Sequence, residues 1–168
     1  MEQDRLPESP KEIYICVDVE TSGPNPSSYE LLSIGACLVS DRDFAFYIEL
    51  QPVTGNAVPG AMAISGLSLQ QLAATGIAPE VAMQRFEAWV HQATPPDHRA
   101  VFVAFNAPVD WMVGNDYFCR YLDRNPFGHS ALDIKAYFMG LTGVRWSETS
   151  MRYLSVRYLD GHGLAHNA

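Results

Sequence analysis

The stretch Tyr14-Ile15-Cys16-Val17-Asp18-Val19-Glu20 decides how the fold is interpreted. It is rich in β-branched and aromatic residues, which predicts a buried β-strand. Side chains two positions apart on a strand share a face, so Asp18 and Glu20 are expected to lie together at the strand's end. Like charges this close repel each other and raise one pKa unless a cation neutralises them. Because the turn-forming run 21–26 follows, this strand end is where a divalent-metal site is expected.

The composition is that of an ordinary globular domain. The 168 residues are 48% hydrophobic and 18% charged, which is enough for one proper core. No apolar stretch approaches the length that spans a bilayer. The polar residues 1–11 predict a disordered lead-in rather than a signal peptide, and residues 12–168 are expected to form a single domain.

The cysteines and the net charge bear on the location and the partners of the protein. Cys16, Cys37 and Cys119 lie in apolar segments, which predicts buried thiols in a reducing compartment and favours a cytoplasmic location. The net charge of −8 argues against a generic nucleic-acid binder, whose footprint is usually basic. That argument weakens if several of the acids hold metal ions, because bound cations reverse the local field.

The order of the predicted elements is that of an α/β domain. An opening hairpin makes the sheet mixed, and strands and helices alternate after a Pro/Gly loop at 51–60. Strands are predicted at 14–20, 31–39, 44–50, 100–105 and 130–134, and helices at 79–93, at 108–122, through 136–139, and from 149 or 150 through 158.

A second candidate site is Asn106-Ala107-Pro108-Val109-Asp110-Trp111, where a strand runs into a helix. Asn106 is expected to cap the helix, which places Asp110 in its first turn. An acid there complements the helix dipole and often does nothing else, so this alternative stays open. Loops at strand ends are, however, where α/β sheets build their sites. Trp111 and Phe105, which precedes Asn106, could stack on a base or simply pack.

A third candidate lies in residues 160–168, which contain His162 and His166. Histidine is the side chain best suited to take a proton at neutral pH. The alternative is that both histidines are exposed and have no role.

Three segments taken together resemble the DEDDh, or DnaQ-like, 3′–5′ exonucleases. Asp18-Val19-Glu20-Thr21-Ser22-Gly23 is similar to the family's D-x-E-T-[TS]-G motif, and Asn106-Ala107-Pro108-Val109-Asp110 to its N-A-x-x-D. His166-Asn167-Ala168 is similar to the start of H-x-A-L-x-D. The order and wide spacing of the segments also match, and the likeness extends over essentially the whole chain from Ile13.

This resemblance implies a ribonuclease H-like fold, with a central five-stranded mixed sheet flanked by helices. It implies a 3′–5′ exonuclease that releases nucleoside monophosphates by a two-metal mechanism with Mg²⁺ or Mn²⁺, acting on a single-stranded DNA or RNA 3′ end or a short oligonucleotide. It makes Asp18, Glu20 and Asp110 metal ligands and His166 the general base. The implied substrate contacts are Thr21, Ser22, Gly23, Asn106 and Trp111. The chemistry agrees, since hard cations prefer carboxylate oxygens and two of them neutralise both the attacking and the leaving oxygen.

The chain departs from the family pattern at its end. The fourth acid is expected five residues after His166, at position 171, and the sequence stops at Ala168. We therefore expect a domain without its C-terminal end, weak metal binding, and little or no activity from these 168 residues. The alternatives are a non-catalytic nucleic-acid-binding module of the same fold and a phosphohydrolase acting on small nucleotides. DNA is not distinguished from RNA, and a homodimer stays open.

Overall fold

The first strand lies at the centre of a five-stranded mixed sheet. In the structure, a computed structural model that describes residues 10–159, the strand order is β3-β2-β1-β4-β5. β1 pairs antiparallel with β2, and β2 with β3, whereas β4 runs parallel to β1 and to β5. Both the α/β class and the opening hairpin are thereby confirmed. The strands are Lys11–Thr21 (β1), Leu31–Leu38 (β2), Ala45–Glu49 (β3), His98–Ala104 (β4) and Ala131–Asp133 (β5).

Six α-helices accompany the sheet in the described part of the chain. The 15-residue helix α3 begins at Pro79 and ends at Ala93, the range that the sequence predicts. Within residues 10–159, no helix combines the length and the apolar character needed to cross a membrane. The helices are Pro59–Ser65 (α1), Leu69–Thr75 (α2), Pro79–Ala93 (α3), Ala107–Leu122 (α4), Ile134–Thr142 (α5) and Met151–Tyr158 (α6), with a 3₁₀ turn at Trp146–Thr149.

The core lies between one face of the sheet and helices α3 and α4. Ile15 and Val17 of β1 point into it, two positions apart, as strand geometry requires. Phe86 of α3 stacks on Phe118 of α4, with ring centroids 5.4 Å apart. This packing holds α4, and with it Asp110, against the end of β1.

Two predictions about this fold are wrong. The Pro/Gly loop predicted at 51–60 ends earlier, because α1 begins at Pro59. No helix is predicted at α1 or α2, since each has seven residues, too few for a clear amphipathic period. The three thiols are not all buried: Cys16 and Cys37 are partly exposed and Cys119 is exposed on α4. Cys119 follows the buried Phe118, and consecutive helical positions point in different directions.

Candidate active site

The three acids predicted to be metal ligands meet where β1 ends and α4 begins. The backbone amide of Val19, between Asp18 and Glu20, donates a hydrogen bond of 3.1 Å to Oδ1 of Asp110. Asp18 is exposed, whereas Glu20 is 9% and Asp110 6% exposed. Asp110 lies in the first turn of α4, as predicted, and it is also tied to β1 across 91 positions of sequence.

The electrostatics of Asp110 shows that the three carboxylates act on one another. Burial and, after it, the charge of Asp18 raise the pKa of Asp110 to about 7. The Val19 amide opposes this shift, and Glu20 adds a smaller upward push. The site is therefore a cluster of like charges in a poorly solvated place, which a cation would stabilise.

The donors fit Mg²⁺ or Mn²⁺ by their chemistry. All three are carboxylates, the hard oxygen ligands that these ions prefer. No three His, Cys, Asp or Glu side chains within residues 10–159 are placed so that they could hold an ion as they stand. Binding of a metal by these three carboxylates would therefore require their side chains to rearrange.

Ser22 fixes the turn that follows β1 through two hydrogen bonds of its hydroxyl. The Ser22 hydroxyl donates to the Asn56 carbonyl at 2.6 Å and accepts from the Glu30 amide at 2.9 Å. Ser22 is 0% exposed, so its side chain supports the turn instead of facing solvent. Thr21 is partly exposed, and its hydroxyl donates to the Gly23 carbonyl at 2.9 Å.

Gly23 is required by a close approach of Tyr29. A Cβ atom built on Gly23 would overlap the Tyr29 ring. The Tyr29 ring therefore lies directly against Gly23, and only glycine leaves room for it.

Glu30 is a buried acid that the sequence analysis missed. Its carboxylate accepts hydrogen bonds from the amides of Thr54 and Gly55, at 2.6 and 2.7 Å, and from that of Val53. Burial would raise its pKa, but the hydroxyl and amide of Thr54, with the neighbouring amides, hold the pKa of Glu30 below its usual value. Glu30 thereby fixes the loop that supports Ser22.

Asn106 occupies the N-cap position of α4 but does not cap the helix with its side chain, which corrects the prediction. Its backbone is left-handed, with φ 68°, and no capping hydrogen bond forms. Oδ1 of Asp133 instead accepts from the amides of Asn106 and Ala107, at 3.1 and 3.2 Å. The sequence did carry a signal for Asp133, because an acid between a strand and a helix is a typical helix cap. Asp133 caps α5 in this way.

Two further residues predicted for the site are Trp111 and His166. Trp111 is partly buried and packs edge-on against Phe102, with centroids 5.2 Å apart, so packing accounts for its position. His166 lies outside the described residues, as does the rest of 160–168. A groove of about 420 Å³ adjoins Asp18 on the β2 side, lined also by Cys16, Gly35, Ala36, Cys37, Arg42, Ala45, Phe46 and Tyr47.

Comparisons with known proteins agree with this architecture. No family model matches the chain. The chain is similar to the 3′–5′ DNA exonuclease Cap18 of Escherichia coli, with 45% identity over 139 residues, covering 83% of this chain and 74% of that protein.

Solved structures of exonuclease I share the fold. The E. coli exonuclease I in complex with a dA16 oligonucleotide has a TM-score of 0.72 at 18% identity, over 94% of this chain. A product-bound exonuclease I has a TM-score of 0.64 at 20% identity, over 80% of this chain. The chain spans 38% and 33% of those two chains. The sheet is therefore ribonuclease H-like, and the chain belongs to the DEDDh, or DnaQ-like, family of 3′–5′ exonucleases.

Proposed function

We propose that the protein is a metal-dependent exonuclease that removes nucleoside monophosphates from the 3′ end of single-stranded DNA. The observation that carries this proposal is the junction of Asp110 with the Asp18–Glu20 segment through the Val19 amide. DNA is favoured over RNA because the relative at 45% identity is named as a DNA exonuclease. A structural neighbour in complex with a dA16 oligonucleotide supports a single strand.

Asp18, Glu20 and Asp110 would hold two divalent cations, Mg²⁺ or Mn²⁺. When bound, such ions neutralise negative charge on the attacking and the leaving oxygen of a phosphodiester. The burial of Glu20 and Asp110 limits the water that competes for these carboxylates. The bound cations would also explain why an acidic protein accepts a polyanion at this one place.

The turn 21–23 would receive the terminal nucleotide. The Ser22 and Glu30 contacts hold the turn in one conformation before substrate arrives, which reduces the entropy lost on binding. Thr21 is the partly exposed hydroxyl of the turn. His166 would take the proton of the attacking water, and an imidazole has a suitable pKa for that role.

The proposal is tested by adding an aspartate at the position where the family pattern has its fourth acid. The 168-residue chain is compared with two extended forms, one carrying aspartate and its control carrying asparagine five residues after His166. All are incubated with Mg²⁺ or Mn²⁺ and with single-stranded DNA or RNA labelled at the 5′ end. We expect the aspartate form to produce a ladder of 3′-shortened DNA, which a chelator abolishes. The asparagine form and the Asp18→Asn variant of the aspartate form should leave the DNA intact.

Other outcomes separate the alternatives. DNA that is bound but uncut by every form would favour the non-catalytic binding module. Faster shortening of RNA would reject DNA as the preferred substrate. Hydrolysis of free nucleotides with intact oligonucleotides would favour the small-nucleotide phosphohydrolase.

A further inference from the structure

A lysine and a tryptophan lie together beside the start of α4. The Lys135 ammonium donates a hydrogen bond of 3.2 Å to Oδ1 of Asn106. It lies 4.4 Å from the centroid of the Trp146 ring and 5.9 Å from that of Phe105. We call these four residues, Phe105, Asn106, Lys135 and Trp146, the lysine–tryptophan cluster.

The register of the sheet places this cluster next to the acids. Cys16 of β1 is the partner of Val103 in β4. Two positions further along come Asp18 in β1 and Phe105, which directly follows β4, so both lie at the same end of these two strands. Asn106 opens the helix whose first turn carries Asp110. The cluster thus lies on the β4 side of the carboxylates, and the groove beside Asp18 lies on the β2 side.

In the part of the chain that the structure describes, the Lys135 ammonium is positioned by an amide and forms no ion pair with a carboxylate. Within residues 10–159 its side chain makes one of the three hydrogen bonds that an ammonium can donate, and that acceptor is an amide. The ion pairs found in the same residues involve arginines or a histidine. Among the described residues, Lys135 therefore has further N–H donors to offer.

Trp146 presents an aromatic surface at the same place. It is 50% exposed although it is among the largest apolar side chains. Lys135 lies over its ring, which orients the indole while leaving part of its surface open. An exposed aromatic ring beside a cation is the combination on which single-stranded nucleic acids stack their bases and place their phosphates.

Lysines are rare in this acidic chain, so the position of Lys135 next to the acids bears on how a polyanion could bind. The sequence carries only two lysines, Lys11 and Lys135, and a net charge of −8. Lys11 begins β1 and so lies at the opposite end of the strand from Asp18 and Glu20. A polyanion that approaches the acids meets Lys135 next to them, where a cation offsets the repulsion.

We propose that the lysine–tryptophan cluster is a binding site for the DNA strand whose 3′ end enters the acidic site. Lys135 contacts a backbone phosphate and Trp146 stacks on a base. This inference rests on the proposed function, and it adds the residues that hold the strand beyond its terminal nucleotide. Asn106 acts through Lys135 as a positioning residue.

The test measures binding without hydrolysis. A fluorescent oligothymidylate of about ten nucleotides is titrated with the 168-residue chain in the presence of a chelator, and anisotropy gives the Kd. Lys135→Met should raise the Kd about tenfold, whereas Lys11→Met, the same change at the other end of β1, should leave it unaltered. The slope of log Kd against log salt should fall by about 0.7 for Lys135→Met, as for one lost phosphate contact on a single strand.

The stacking role has its own matched pair. Trp146→Leu should raise the Kd about tenfold, and Trp146→Phe, which keeps an aromatic face, should stay within about threefold of the unmodified chain. The thermal midpoint of each variant is measured in parallel. If Lys135→Met lowers the midpoint, Lys135→Gln, which can still donate to Asn106 but carries no charge, replaces it in the comparison and should show the same loss of affinity.

The outcomes distinguish this inference from the proposed function. A Kd and a salt slope that are the same for Lys135→Met and Lys11→Met would overturn the binding site, whatever the nuclease assay shows. Equal affinities for Trp146→Leu and Trp146→Phe would overturn the stacking role. An inactive aspartate-extended form with the expected binding losses would reject the exonuclease and leave the binding site standing.

Discussion

The Val19 amide and the Asp110 carboxylate are 91 positions apart in sequence, and a hydrogen bond of 3.1 Å joins them. Val19 is the residue between Asp18 and Glu20 on β1. Its side chain packs against the core, while its amide reaches the helix. Strand geometry brings Asp18 and Glu20 to one face, and the amide of the residue between them positions the third acid.

The first prediction concerns pH. In the absence of metal, the free energy of unfolding should decrease as the pH rises from about 4 to about 7. The pKa of Asp110 is about 7 in the folded chain, against a usual value of 3.8. Over this interval the unfolded chain releases the proton while the folded chain keeps it, so the destabilisation is complete above pH 7. Its size is on the order of 4 kcal/mol, and denaturant titrations in a chelator measure it.

Asp110→Asn tests the assignment of this pH dependence. It should remove most of the decrease, because asparagine does not titrate yet can still accept from the Val19 amide. Asp123→Asn makes the same change at the other end of α4 and should keep the decrease. An unaltered pH profile in Asp110→Asn would show that another group is responsible.

The second prediction concerns metal. Mg²⁺ or Mn²⁺ should raise the thermal midpoint, since an ion that binds only the folded chain stabilises it by mass action. At about ten times the Kd the gain is about 1.4 kcal/mol, or roughly 3–6 °C for a domain of this size. The gain should be larger at pH 8 than at pH 6, because the Asp110 carboxyl must lose its proton to bind.

Asp18→Asn is the matched variant for the metal prediction. It should lose most of the shift, whereas Asp41→Asn, in the turn between β2 and β3, should retain it. A full shift in Asp18→Asn would place the ion elsewhere. The measurement is a melting curve at several metal concentrations.

The sequence was informative where one signal was strong and local. The β-branched run around Ile15 and the apolar face of α3 follow a single period, so strand, helix and burial could be predicted from them. The motif at 18–23 and Asp110 were found by residue type and order. The supporting acids were not found, because the roles of Glu30 and Asp133 depend on backbone amides distant in sequence. The lysine–tryptophan cluster is likewise built from residues up to 41 positions apart, and a single lysine forms no sequence pattern.

The third prediction concerns Asp133. Its carboxylate accepts from the amides of Asn106, Ala107, Lys135 and Ala136, at 3.1 to 3.3 Å. Asp133→Ala should lower the free energy of unfolding by about 2–4 kcal/mol, because it removes a helix cap and the acceptor shared with α4. Asp133→Asn keeps an Oδ1 acceptor and should cost about 1 kcal/mol. Denaturant titration measures both, and equal losses would show that the carbonyl-type acceptor is not what matters.

The two Asp133 variants should also differ in their effect on the lysine–tryptophan cluster. Asn106 and Lys135 flank the Asp133 carboxylate, so its loss should loosen the hydrogen bond between them. Asp133→Ala should therefore weaken oligonucleotide binding at temperatures where the chain is still folded. Unchanged affinity would mean that Asp133 stabilises the fold alone.

The fourth prediction concerns Gly23. A Cβ at this position would occupy space filled by the Tyr29 ring, so Gly23→Ala must displace the ring or the turn. We expect a loss of about 1–3 kcal/mol in the free energy of unfolding. Because the turn 21–23 is proposed to receive the terminal nucleotide, affinity for a single-stranded 3′ end should fall as well.

Gly60→Ala is the control for Gly23→Ala, since a Cβ there meets nothing within 4 Å and the residue lies in α1. Alanine has the higher helix propensity, so this change should raise the free energy of unfolding by up to about 1 kcal/mol and leave binding unchanged. The double variant Gly23→Ala with Tyr29→Ala frees the space and should recover binding relative to Gly23→Ala alone. If binding does not recover in the double variant, the turn needs glycine for its backbone conformation and not for the contact with Tyr29.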